Sequence, residues 1–301
     1  MNYLKLKVLN YLLFTFVIGF LGCKTKEEVK PEPESITIPD ENFEKTLIRL
    51  KIDNVQDGKV MKDSVLKVKV LLLVSPWSQF SEPIYNLSGI EAFTNLERLY
   101  CEKQKLTYID VSKNVNLKKL DCRDNQITYI NISKNINLQT LNCRDNQLEN
   151  LDVSKNINLL DLSCQNNKLQ SLDLNGNNIL DRLLCFDNQI TNLNLSKNTV
   201  LKYLGCSNNK LNNFNIDKNV LLTDLFCSDN QLTLLDITNN TALIQFSCEN
   251  NQLSSLNVSK NSALNSLKCT NNNIQTICVN SSNQVKSDWV KDPTATYKVC
   301  P

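Results

Sequence analysis

Between Leu96 and Gln284 apolar residues return at fixed places in a unit of 21 residues. Each unit reads Leu-x-x-Leu-x-Cys-x-x-Asn-x-Leu, followed by x-x-Leu-Asp-Val-Ser-Lys-Asn. The third shows it plainly: Leu138, Leu141, Cys143, Asn146, Leu148, Leu151, Val153 and Asn156. Cysteine recurs at 101, 122, 143, 164, 185, 206, 227, 248 and 269, nine copies in unbroken phase. A repeat of this length sets the architecture before any other feature. The second Leu and the Cys are two residues apart, the period of a strand, so Leu141 and Cys143 point inward and Asn142 outward. A second row, at 111, 132, 153, 174, 195, 216, 237 and 258, is mostly β-branched and has no helical period. It predicts short strands on the back. Neighbouring coils then pair in parallel ~4.8 Å apart, so the nine stack to a length of about 40 Å.

The ninth position is Asn in eight of nine units: Asn125, Asn146, Asn167, Asn188, Asn209, Asn230, Asn251 and Asn272, with Gln104 in the first. A buried amide there can bond to backbone groups of its own and adjacent coils, which Leu cannot do. The pattern resembles the leucine-rich repeat, Leu-x-x-Leu-x-Leu-x-x-Asn/Cys-x-Leu, with Cys in place of the third Leu. Its two nested halves resemble a bacterial class of the same length. The lead-in Leu87–Leu96 is similar to the entry into internalin-like repeats. The resemblance implies a mainly β fold: a solenoid of nine 21-residue coils with a parallel sheet on the concave face and short strands behind.

A solenoid exposes its first and last apolar layers, so both ends need caps. Residues 36–94 are assigned to an α/β N-terminal cap, 95–284 to the solenoid and 285–301 to a C-terminal cap. In the first cap, Asp40 reads as the N-cap of a helix carrying Phe43, Leu47, Ile48 and Leu50. Residues 65–74, with Val65, Val68, Val70, Leu72 and Val74, read as a strand. Asp53–Gly58 resembles the front of a calcium loop, but Val55 and Ser64 stand where oxygen ligands belong. A glycine-assisted turn fits better.

The chain of 301 residues is 41% hydrophobic and 21% charged, ordinary globular composition. It has no histidine, which removes the commonest general base and metal ligand. Lys5 and Lys7 precede an apolar run, Val8 to Phe20, too short to span a bilayer of ~30 Å. Phe20-Leu21-Gly22-Cys23 resembles a bacterial lipobox. That implies a signal peptide over 1–22, lipid on Cys23 and a disordered tether over 23–35, with Pro31 and Pro33. Removing 1–22 removes Lys5 and Lys7 and no acid, taking the formal charge from +2 to 0. A neutral protein is not expected to bind nucleic acid. The run Lys24–Glu28 resembles the export tag of surface lipoproteins of the Bacteroidetes group, which implies an outer-membrane anchor with possible display on the cell surface.

The nine in-phase cysteines read as small inward packing residues. A metal ladder lacks Cys-x-x-Cys or His partners, and redox chemistry needs exposed thiols. A disulfide ladder meets parallel Cβ vectors. Cys278 and Cys300 are out of phase. Cys278 replaces an outward Asp/Asn and can reach the tail, so the two are expected to pair outside the cytoplasm. The Asp/Asn row at 110, 131, 152, 173, 194, 215, 236 and 257 reads as local turn bonding rather than an ion ladder. Asn-x-Ser/Thr triplets, as at Asn194, read as by-products of an Asn-rich repeat.

Function is expected on the outward positions of the strand face. Arg182, Leu184, Phe186, Tyr203, Asp224 and Phe226 fall in the middle coils, and aromatics and Arg are the types that anchor protein interfaces. The expected partner is a protein, engaged by an adhesin or interaction module; the alternative is glycan capture for nutrient uptake, leaning on Tyr100, Tyr203 and Phe226. No catalytic residue, metal or cofactor is expected.

Overall fold

The structure is a computed structural model that describes residues 33–73 and 82–300. The signal peptide, Cys23, the Lys24–Glu28 run and Val74 lie outside the described residues.

The outward-Leu-outward triplet of each unit forms a three-residue strand, and these pair in parallel with a constant register of one unit. Leu162, Leu183, Leu204, Leu225 and Phe246 lie side by side in this way. The sheet has ten strands, not nine. The extra one is Val70–Leu72, which belongs to the N-terminal cap and pairs with Arg98–Tyr100. The strand expected over 65–74 is therefore shorter. Val65 ends a helix, Lys62–Val65, and only Val70–Leu72 runs alongside a neighbour that can accept its bonds.

After each cysteine the chain turns sharply. Lys103, Asp124, Asp145, Asn166, Asp187, Asn208, Asp229, Asn250 and Asn271 all sit at φ between 51° and 57°. Asp and Asn tolerate this left-handed conformation better than other non-glycine residues, and eight of the nine copies carry one of them there. The ninth-position asparagine follows at once. Asn188 Nδ2 donates to the carbonyls of Cys164, Cys185 and Phe186 at 3.1–3.2 Å, and its Oδ1 accepts from Leu169 N–H at 3.0 Å. Each such side chain satisfies groups of two coils; losing it would strand buried donors and acceptors at roughly 1–3 kcal/mol each.

The back differs from expectation. Strands occur only near its ends: Tyr108–Asp110 with Tyr129–Asn131, and Leu256–Asn257 with Thr276–Val279 and Thr296–Val299. Through the middle coils a second, fully buried asparagine ladder sets the spacing instead. Asn156 Nδ2, for example, donates to Ile132 O and Asn135 O at 3.1 and 2.9 Å. The Asp/Asn row beside it forms local turns, as where Asp152 Oδ1 accepts from Ser154 N–H at 2.9 Å. β-branched side chains fill the layer, but clamped turns hold it, and no strands pair there in the middle coils.

Both ends are sealed. At the front, Asp40 Oδ1 accepts from Asn42 and Phe43 N–H and caps the helix Glu41–Arg49, while its Oδ2 accepts from Tyr85 and Asn86 N–H and ties down the lead-in. Gly58 takes φ 77° in the 53–58 loop, whose amides at 57–59 all donate to Glu44 Oε1 at 2.6–3.1 Å. The Glu44 carboxylate and the glycine turn thus support each other. At the far end Val290 bridges to Lys268, Trp289 Nε1 donates to Asn265 O at 3.1 Å, and Cys278 and Cys300 are disulfide-bonded. In the chain-entropy view a closed loop of this size contributes about 3 kcal/mol. The last unit has Ser282 where the second asparagine belongs, and Gln284 takes over. Its Nε2 donates to Val258 O and Asn261 O at 2.7 and 3.2 Å.

Candidate functional site: the strand face

The strand face is polar at its flanks and apolar in its middle. Toward the N-terminal cap, Arg123 pairs with Asp121 at 2.7 Å and Glu102 at 3.3 Å. Toward the other end, Ser228 bonds Ser247 at 2.9 Å, Ser247 donates to Glu249 at 3.0 Å, and Thr270 donates to Glu249 at 3.3 Å. These groups bond one another, with Glu102 Oε2 left buried and unpartnered.

Between them the register sets Arg182 beside Tyr203 and Tyr203 beside Asp224, and one row over Leu184 beside Gly205 and Gly205 beside Phe226. The Arg182 guanidinium lies 5.0 Å from the Tyr203 ring centre, and the Tyr203 and Phe226 rings are 5.5 Å apart, tilted by 39°. Arg182 also reaches Asp161 at 3.6 Å. Asp224 accepts from Thr223 Oγ1 at 2.7 Å. Arg182, Phe186, Tyr203, Asp224 and Phe226 are all half-buried, so each keeps a face toward solvent.

Leu184 departs from expectation: it is 8% exposed and cannot serve as a surface contact. The cause is one coil away. A Cβ on Gly205 would stand 2.9 Å from Leu184 Cδ2 and 3.5 Å from Phe186 Cδ1. The missing side chain lets Leu184 lie down across the next strand and floor the aromatic cluster. Tyr100 departs too. It lies five strands from Tyr203, about 24 Å at the usual strand spacing, so it shares no platform with Tyr203 and Phe226. It packs under the Lys119 ammonium at 5.2 Å.

Beneath the face runs the line of nine thiols, all buried and unpaired. Some donate to the next strand, as Cys227 Sγ does to Ser247 O at 3.5 Å. Burial pushes the Cys185 and Cys269 thiols up to about 12 and the other seven well above the ordinary thiol range. They are protonated spacers, not nucleophiles. Among the described residues no three His, Cys, Asp or Glu side chains converge to hold a metal. On the back, a depression of about 750 Å³ opens between Thr191–Ser196 and Asn212–Lys218. It is lined by amides such as Asn192 and Asn213 and lies away from the aromatic cluster.

A stacked series of short parallel strands, with asparagine ladders and a capped first coil, is a leucine-rich-repeat solenoid. No protein-family model matches the sequence, and no curated protein does. Solved structures do. The functional domain of InlJ from Listeria monocytogenes, which includes a cysteine ladder, matches with a TM-score of 0.70 at 28% identity, over 89% of this chain and 64% of that one. This chain thus spans less than two thirds of that relative. An internalin of the same organism, InlF, matches with a TM-score of 0.50 at 19% identity, over 87% and 95% of the two chains. The LRIM1/APL1C complex matches with a TM-score of 0.56 at 21% identity, over 63% and 38%. The chain is therefore similar in structure to internalin-type leucine-rich-repeat proteins.

Proposed function

We propose that the chain is a protein-binding module, an adhesin or interaction domain, held at the outer membrane by lipid on Cys23. The observation that carries the binding reading is the Arg182–Tyr203–Phe226 stack over the Leu184 floor. It is an apolar and cationic island on a face whose flanking polar groups mostly bond to one another. Binding energy concentrates in such buried aromatic and Arg anchors, and a polar surround acts as the rim. Supporting it from outside, one structural neighbour is itself a protein complex, LRIM1/APL1C.

The test is capture of a partner from the cell surface by the immobilised chain, with the affinity then measured for variants. Tyr203→Ala with Phe226→Ala should weaken it at least tenfold, about 1.4 kcal/mol or more. Unchanged affinity would remove the island from the reading. Saturable binding on an oligosaccharide array, abolished by the same pair and with no protein captured, would replace it with glycan capture. The anchor is tested separately: Cys23→Ser should release the chain from the membrane fraction, and retention there would refute lipidation.

A further inference from the structure

A second surface, on the turns that lead into the sheet, was not foreseen from the repeat. Val115, Ile136, Ile157, Ile179, Val200 and Val220 fall one or two residues after the buried asparagine in six successive coils. All six are 36–56% exposed, and Leu160, Leu221 and Ile244 are exposed beside them. At ~4.8 Å per coil the row runs about 24 Å. It is rigid: Asn135 and Asn156 are buried and bonded just before Ile136 and Ile157, and Asn158 Nδ2 clamps the Ile136 carbonyl at 2.9 Å. Next to its middle, at the border with the strand face, lies a hollow of about 450 Å³, lined by Leu160, Ile179 and Val200 with two charge pairs, Asp181–Lys202 and Asp161–Arg182.

We propose that this ridge is the interface between two copies of the chain. From these exposures the aliphatic surface is on the order of 600 Å², at the upper end of what a soluble monomer leaves in one patch and approaching the ~800 Å² per partner of a standard interface. Its chemistry suits a second copy better than a foreign protein. Its exposed apolar residues are all Val, Ile and Leu, with charges only as pairs at the hollow, whereas hetero-interfaces lean on Trp and Tyr, and interfaces between identical chains are more apolar. It carries both a ridge and a hollow, the self-complementarity that a two-fold interface demands, and an identical chain brings the same coil pitch. Pairing would present two strand-face islands together and raise avidity for a surface-bound partner with no new contact.

Light scattering on the eluting full chain at micromolar concentration tests this. The expected result is twice the chain mass, falling to a single chain in Ile157→Asp with Ile179→Asp. Both positions are exposed, so circular dichroism should be unchanged. Phe226→Ala, on the other surface, should leave the dimer intact, so the failure of one surface is distinguishable from that of the other. A wild-type chain that stays monomeric, or a ridge variant that stays dimeric, would overturn the proposal.

Discussion

A buried thiol is tolerated as long as it keeps its proton, because an ionised sulfur in a dry layer has no counter-charge to face. Here nine sit in one line, and burial raises all of them. The unfolded chain titrates its thiols near the usual ~8.5. Their contribution to stability is complete below that value and is lost as pH rises toward the folded value, about 12 for Cys185. Each thiol that stays protonated in the fold while the unfolded one ionises lowers stability as pH rises, and all nine act in the same direction, so the loss is steep. The solenoid should therefore unfold cooperatively within about one to two units above pH 8.5, followed by circular dichroism, and replacing Cys185 and Cys206 by Ala should make the loss shallower. An unchanged urea midpoint between neutral pH and pH ~10 would contradict it.

At the scale of the element, what could be read in advance was whatever one unit determines by itself. The strand triplet, the inward Cys and the ninth-position Asn depend on spacing inside 21 residues, and the structure places all three so. The turn residues that take positive φ were equally readable, since Asp or Asn fills that place from Asp124 to Asn271. What escaped depends on two units at once or on the irregular ends. Leu184 is buried because Gly205, in the next coil, lacks a side chain. The extra strand Val70–Leu72 is set by the neighbour it meets, not by its own apolar content. Glu44, on the cap helix, gathers three amides from a loop thirteen to fifteen residues on, a pairing no local pattern displays. The back strands failed in the middle because a ladder needs backbone groups within bonding reach, which β-branched residues favour but do not impose. The aliphatic ridge was hidden by a one-residue shift at Ile179 and Val200 relative to its other members, such as Ile157 and Val220.

For the whole molecule, the repeat supplies stiffness and the departures from it supply chemistry. The front asparagines, the thiols and the leucines are nearly identical from coil to coil, so the spine is uniform. The strand face is not: Arg182, Phe186, Tyr203 and Phe226 gather in three adjacent coils, over a floor that only Gly205 permits. Such a frame holds its anchors in place before a partner arrives, which lowers the ordering cost of binding. The back depression between Asn192 and Asn213 offers amides without an aromatic anchor and serves as the natural contrast. A photo-crosslinking residue placed at Phe226, and in a separate variant at Asn213, on intact cells puts the central claim to its most direct trial. Adducts with one protein from position 226 and none from 213 are the expected result; adducts from 213 alone, or from neither, would contradict the assignment of recognition to the strand face.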